Sequence, residues 1–389
     1  MKKKIKTIGS KKVNVPFFVP DISKSDKIAI MNALNSSMLT DGPKLREFED
    51  KFAKFVGTKF AIGVSNATAA LHLSLKSIGL KKGDEVIVPD ITFAATANSV
   101  LLTGATPVLA DVNNDDMNIS IESIKKNITK KTRAILPVHL AGKMCNMLEI
   151  KKISKENNLF LIEDCAHAIG TRLNKKHAGT FGNAGCFSFY PTKNFTTIEG
   201  GMVITNSKKI AEYVKLARSH GLTRSLADRY SKGKPWEYDI INPGFNYRLD
   251  EIRAALGLSQ LKRINNLNSK RFHASKYYTK QFEDISGIIT PNILKNNAHT
   301  YHLYIIRITK EFGLDRDTIF EGLKKKGIQA SLHYKPLHKF TAYKKLAKTY
   351  GNLNNSEQIF EENLSLPLYP GITEKEMNMV IDFFKKNNN

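Results

Sequence analysis

Between residues 60 and 205, short β-rich apolar runs alternate with stretches of helical period, and this alternation constrains the fold more than any other feature of the chain. AIGV (61–64) reads as a strand followed by a helix from Ser65 to Gly79. EVIVP (85–89) reads as a strand followed by a helix over Thr92 to Leu102. PVLAD (107–111) precedes the helical IESIKKNI, RAILPVHL (133–140) precedes a helix around 147–157, and LFLIED (159–164) ends in a turn. Strands separated by helices of this length predict βαβ units in a mostly parallel sheet. The unbroken apolar character of RAILPV and LFLI suits strands covered on both faces, as crossover helices require.

The rhythm changes at Gly185. CFSFY (186–190) and GMVIT (201–205) flank a ten-residue polar loop, PTKNFTTIEG, followed by a helix over 207–219 and a polar stretch to about 245 that holds the single Trp, Trp236. A long helix begins near Asp250 and runs through RAALGLSQLKRI. The C-terminal third reads as YHLYIIRI (301–308, strand), RDTIFEGLKKKG (316–327, helix), IQASLHY (328–334, strand) and a last helix near 373–386. The expected fold class is α/β, with a large domain over 1–250 and a smaller α+β domain over 251–389. A chain of 389 residues is too long for one small core.

Composition narrows the function classes. The 60 Lys and Arg against 36 Asp and Glu give a net charge of +24, which suits nucleic acid, a membrane surface or anionic metabolites. The lysines are scattered, and no helix-turn-helix, zinc-finger or RNA-binding pattern accompanies them, so no nucleic-acid partner is expected. No run reaches the roughly 18 apolar residues a membrane helix needs. The opening MKKKIK is like the basic region of a signal peptide, yet polar KTIGSKK follows it, so the expected location is cytoplasmic. Cys145, Cys165 and Cys186 match no zinc spacing, and an odd count argues against a disulfide framework.

In an open α/β sheet, ligands bind beyond the carboxyl ends of the strands, so the residues just after each run carry the information. Ser65-Asn66-Ala67-Thr68 follows AIGV and opens a helix, where unpaired N–H groups suit a phosphate; Ser65 acting only as the helix cap is the plainer reading. Asp164 ends LFLIED with His167 one turn on. It could cap the strand end, bind a metal or pair with a ring nitrogen, but no second ligand cluster supports a metal. Lys193 sits in the polar loop, either as a solvated charge or as a desolvated amine able to condense with a carbonyl. Together, a phosphate-binding helix start, a carboxylate and a Lys 29 residues beyond it match the needs of pyridoxal 5'-phosphate. No GxGxxG or Walker loop competes.

The chain resembles the DegT/StrS family of pyridoxal-phosphate sugar aminotransferases, of the type I aminotransferase fold. The likeness runs from LTDGPKLREFEDKFAKFVGTKFAIGVSNATAALHLSL (39–75) through LIEDCAHAIGT (161–171), GCFSFYPTKNFTTIEGGMV (185–203) and GFNYRLDEIRAALGLSQL (244–261) to HTYHLYIIR (299–307) and GIQASLHYKPLH (327–338). By position, the resemblance implies that Lys193 is the catalytic lysine that carries the cofactor. Asp164 would then face the pyridine nitrogen, His167 the ring oxygen and Phe93 the ring face, while Ala67, Thr68 and Ser188 would hold the phosphate. Asn246 would reach the phosphate of a neighbouring subunit, which implies a homodimer with shared sites. His333, Tyr334 and His338 would meet the sugar substrate. The wording around these last residues is closest to enzymes of UDP-linked 4-keto sugars and to perosamine synthases, with L-glutamate as amino donor. Ile198 stands where many members have Gly, and GlyAsnAlaGlyCys before Phe187 lacks a common acidic residue. Dehydratase relatives carry His in place of Lys193, so the resemblance favours transamination over the two alternatives, a dehydratase and a non-catalytic regulatory or nucleic-acid-binding protein.

Overall fold

The computed structural model describes residues 13–224, 234–294 and 298–388. The opening MKKKIK, the KTIGSKK that follows it and part of the polar stretch before residue 245 lie outside the described residues. The first strands are β1 (Phe60–Val64), β2 (Glu85–Pro89), β3 (Thr106–Ala110), β4 (Thr132–Ile135) and β5 (Phe160–Asp164). A short hairpin of β6 (Arg172–Leu173) and β7 (Lys176–His177) leads to β8 (Ala184–Ser188) and β9 (Gly201–Thr205). Seven of them form one sheet in the order β1-β9-β8-β5-β4-β2-β3. β3, β2, β4, β5 and β8 are parallel neighbours, while β9 runs antiparallel to both β8 and β1. The sheet is thus mixed and mostly parallel, as the strand–helix rhythm predicts.

Two apolar clusters cover the sheet. One gathers Phe48, Phe52, Phe187, Phe189 and Phe195; the other gathers Leu71, Leu73, Val86, Val88 and Val203. The helices Lys24–Leu34 and Pro43–Val56, not read from the sequence, precede β1. Their signals are ordinary ones: a Ser23/Asp26 capping box for the first, and Pro43 at the start with Gly57 at φ +83° at the end for the second.

The strand expected over 133–140 covers only Thr132–Ile135, because Pro137 has no N–H with which to continue the ladder. Val138 returns as an isolated bridge to Asp164. The second sheet is antiparallel, in the order β10 (Ile288–Ile289), β11 (Tyr304–Ile308), β12 (Asn363–Leu366). The strand expected at 328–334 is absent. That segment makes single bridges, Ile328 to Val15 and Ser331 to Ser365, and the His333–Tyr334 peptide is cis. Val15 fills a place in the C-terminal core, and the N–H groups of Asn14 and Val15 donate to the Gly327 carbonyl. Segment 328–331 therefore lies between the N-terminal segment and β12 but meets each at a single position.

Core membership changes within one helix, Ile264–Phe282. Its Ile264 and Leu267 join the large core, while Ala274, Tyr278 and Phe282 join the smaller one. Helix Glu251–Leu261 packs on helices Lys24–Leu34 and Pro43–Val56, and Gly257 is required there: a Cβ would lie 2.6 Å from the Phe48 ring. Among the described residues no helix is long and apolar enough to cross a membrane.

Candidate active site

The site lies where the carboxyl ends of β2, β5 and β8 meet the segment 333–338. Lys193 sits in the loop after β8, and that loop is anchored on both sides of it. Phe189 and Phe195 stack at 4.8 Å and pack against Phe48, while Thr196 Oγ1 and the Thr197 N–H both donate to the Phe189 carbonyl, at 2.9 and 3.0 Å. The Lys193 N–H donates to the Tyr190 carbonyl at 2.9 Å, closing the turn that presents the side chain. Its half-buried ammonium has no hydrogen-bond or ion-pair partner among the described residues. Loss of solvation pushes it down to about 8, against the opposing pull of Asp164.

Asp164 ends β5 and is buried. Its Oδ2 accepts from Thr96 Oγ1 at 2.9 Å and its Oδ1 from the Ala166 N–H at 3.1 Å. Burial raises its carboxyl from the ordinary value, while these two donors and Lys193 pull the other way. Thr96 is itself oriented by Thr92, hydroxyl to hydroxyl at 2.9 Å. His167 is buried, and loss of solvation holds it neutral, well below the usual imidazole range. Its Nδ1 accepts from the Ala141 N–H at 3.3 Å, so its proton lies on Nε2, which donates to the Tyr334 hydroxyl at 3.3 Å. Tyr334 keeps its own hydroxyl hydrogen for another acceptor.

Phe93 follows β2 with 61% of its surface exposed and its ring 6.0 Å from that of Tyr334. An aromatic face this bare beside a buried carboxylate is a stacking surface. At the end of β1, the cap of helix Ala67–Ser77 is Asn66, whose Oδ1 accepts from the Ala69 N–H at 2.8 Å; the Ser65 cap considered above is thereby corrected. Asn66 wins because it stands one residue before the first helical turn. The N–H groups of Ala67 and Thr68 make no hydrogen bond among the described residues, which leaves two half-buried donors at a helix start. β9 abuts this helix start only because residue 201 is Gly: a Cβ there would sit 2.5 Å from the Asn66 backbone. Ser188 is buried at the end of β8 and accepts from the Tyr190 N–H at 3.4 Å.

Of the remaining expected residues, His333 lines a cleft with Lys193, Thr192, Phe17 and Tyr334. Its Nδ1 lies 2.8 Å from Ser365 Oγ, its ring stacks on Phe17 at 5.6 Å, and burial lowers its pKa to about 4. His338 stands apart from this cleft, held between Asp90 and Glu357. Asn246 is exposed and makes no contact with the Lys193 cluster. Ile198, the departure from the glycine pattern, has φ +72°, a region that a β-branched residue rarely enters.

Two residues of the cluster escaped the sequence reading. His302 sits with its ring 4.4 Å from that of His167, and its Nδ1 donates to Asn194 Oδ1 at 3.1 Å. Asn194, next to Lys193, is oriented in turn by donating to Asn268 Oδ1 and the Thr300 carbonyl. Only the motif HTYHLYIIR pointed to His302, and there it reads as the start of a strand. His139, Glu163 and Cys165 are close enough for a metal, but Glu163 already accepts from the N–H groups of Gly179, Phe181 and Gly182 and pairs with His139.

A model of the DegT/DnrJ/EryC1/StrS aminotransferase family matches residues 20–385. The Bacillus subtilis spore coat polysaccharide biosynthesis protein SpsC is 36% identical over 371 residues, covering 95% of this chain and 95% of its own length. Helicobacter pylori PseC, an aminotransferase involved in the biosynthesis of pseudoaminic acid, superposes with a TM-score of 0.89 at 34% identity, over 96% of this chain and 99% of PseC. The putative sugar aminotransferase Spr1654 of Streptococcus pneumoniae is 31% identical and covers 96% of this chain. Its PMP form gives a TM-score of 0.89 over 99% of that structure, and its PLP form 0.87 over 98%.

The residues present fit pyridoxal phosphate. A partnerless amine with a lowered pKa, a buried carboxylate, an open aromatic face and two unused N–H donors at a helix start converge on the carboxyl ends of the strands. With matches that span nearly the whole chain, the protein belongs to the DegT/DnrJ/EryC1/StrS aminotransferase family and is a pyridoxal-phosphate-dependent sugar aminotransferase.

Proposed function

We propose that this enzyme transfers the amino group of L-glutamate to C4 of a nucleotide-linked 4-keto-6-deoxy sugar, with UDP as the nucleotide, in amino-sugar and surface-glycan biosynthesis in the cytoplasm. The observation that carries this reading is Lys193: an amine with no partner, beside a buried Asp164, opening on a cleft walled by His333 and Tyr334. Bound pyridoxal phosphate would supply an electron sink for the carbon that loses its proton.

In this reading the chain's own residues have separate tasks. Lys193 Nζ carries the proton between the donor's α-carbon and the cofactor, a role open to an amine whose pKa is near 8. Asp164 keeps the ring nitrogen protonated, and Thr96 and Ala166 hold its two oxygens in place. Ala67, Thr68 and Ser188 take the phosphate, and Phe93 covers one face of the ring. The Tyr334 hydroxyl, supported by His167, and the His333 ring meet the sugar. His338 was expected among the sugar contacts as well, but both its ring nitrogens face carboxylates, so its part is better sought in what it braces.

A homodimer with shared sites belongs to the same reading. Its support is the exposed apolar residues Ile28, Met31, Leu34, Trp236, Ile240 and Ile241, together with Asn246, which is exposed and makes no contact with the protomer's own Lys193 cluster. The substrate is tested by supplying 4-keto-6-deoxy sugars on UDP, dTDP and GDP to the glutamate-reduced enzyme and following return of the cofactor's visible band. Return with the UDP sugar alone is the expected result; return only with a GDP or dTDP sugar would refute the UDP assignment.

The state of Lys193 gives a second expectation. The rate at which cofactor-free protein captures added pyridoxal phosphate should rise about tenfold per pH unit below 8 and level off above it, tracking the unprotonated amine. Stopped-flow absorbance measures this. A rate still climbing tenfold per unit beyond pH 9 would mean an amine with the ordinary lysine value.

A further inference from the structure

Asp90 follows β2 and is fully buried. Its carboxylate accepts from the main-chain N–H of His338 at 3.0 Å and lies 2.5 Å from His338 Nδ1, while its main-chain carbonyl accepts from the Leu337 N–H at 2.8 Å. On the other side of the ring, His338 Nε2 lies 2.7 Å from Glu357 Oε1, on helix Asn354–Glu362. A neutral imidazole has one N–H and one lone pair, so it can satisfy only one of two flanking carboxylates. The imidazolium satisfies both. The two contacts raise the pKa of His338, the bond to Asp90 most of all. The charged groups facing the ring are Asp90 from the turn after β2 and Glu357 from the helix, and the Lys339 ammonium closes on the second oxygen of Glu357. Two carboxylates and two cations thus form a balanced chain of charge-assisted contacts.

This chain joins two walls of the site. The turn after Asp90 carries Thr92 and Phe93 and leads into the helix bearing Thr96, which holds Asp164. The segment ending at His338 carries His333 and Tyr334, and Tyr334 bonds to His167. Neither wall has another ion pair to the other among the described residues.

We propose that His338, as an imidazolium clamped between Asp90 and Glu357, is a positioning residue that fixes the wall carrying Phe93 and Thr96 against the wall carrying His333 and Tyr334, and so makes the geometry of the site depend on pH. The clamp is complete below the range of a free imidazole and is lost as pH rises through the raised value of His338. The proposal rests on the preceding section only in taking these walls to be those of the transamination site.

Hydrogen–deuterium exchange on the pyridoxal-phosphate-loaded full chain tests it, with rates corrected for the intrinsic pH dependence of amide exchange. In the unaltered protein, protection of segments 90–96 and 333–338 should hold steady below the range of a free imidazole and fall severalfold as pH rises through the raised value of His338. H338Q should show the lower protection at every pH. E357Q, which leaves the Asp90 contact intact, should move the midpoint of the fall to lower pH, because one of the two contacts that raise His338 is gone. H338Q with the protection and pH response of the unaltered protein would overturn the proposal. If H338Q fails to fold, an unmoved midpoint in E357Q overturns it as well. Loss of the predicted sugar substrate with this pH response intact would refute the proposed function and leave the clamp standing.

Discussion

Lys193→Ala is expected to lower turnover by about 10³-fold or more while leaving the fold intact. The fold survives because the Lys193 side chain makes no hydrogen bond or ion pair among the described residues, and the loop is held by the buried rings of Phe189 and Phe195 and by main-chain contacts that Ala preserves. Activity does not survive because no neighbour can take over the proton. His167 has one nitrogen on the Ala141 N–H and the other on Tyr334, and burial holds it neutral. His302 is bound to Asn194 and likewise held neutral, and burial raises the Tyr334 hydroxyl far above the working range. Single-turnover absorbance with an unchanged far-ultraviolet circular dichroism spectrum is the check. A variant that retained the unaltered rate would remove Lys193 from the chemistry.

Asp164→Asn is the second large effect, a loss of about 10²–10³-fold in the rate of the first half-reaction. The substitution keeps the shape and one bond to Thr96 but removes the charge that would hold the ring nitrogen protonated. Stability should change little, because the carboxylate is already disfavoured by burial, which raises its pKa, and a neutral amide avoids that penalty. The amide does lose one good contact, since only one of its ends can accept and Ala166 and Thr96 both donate. Rates of cofactor reduction by L-glutamate, compared with thermal midpoints, separate the two effects. A large fall in midpoint with a normal rate in the surviving protein would mean that Asp164 is a structural cap and nothing more.

The large sheet was legible because its strands are buried on both faces, and sequences such as EVIVP and LFLIED can then be continuous apolar runs. The two misread strands have different causes. RAILPVHL reads as one run, but Pro137 cannot donate, and the strand stops at Ile135. IQASLHY has the right residues for a strand, but it meets its partners at single positions, Ile328 with Val15, over 300 residues away in sequence, and Ser331 with Ser365. No local pattern announces those contacts. Within the site, Asp164 and Lys193 were legible as residues at the ends of strands, Phe93 only through the family resemblance, and that resemblance suggested the roles of all three. His302 was not legible, because it sits in a run that reads as strand and meets Asn194 and His167 only in the folded chain. His338 was read as a sugar contact, but both its ring nitrogens face carboxylates, from residues 90 and 357, which only the folded chain brings together.

Whether this transaminase takes its amino group from L-glutamate at Lys193 is tested by an absorbance spectrum of the purified, cofactor-loaded protein before and after L-glutamate. The account predicts a visible band that disappears on adding L-glutamate and is replaced by a near-ultraviolet band of pyridoxamine phosphate, with 2-oxoglutarate released in equal amount. A visible band that L-glutamate leaves unchanged would contradict the choice of donor. No visible band after reconstitution with pyridoxal phosphate would contradict the account at its root.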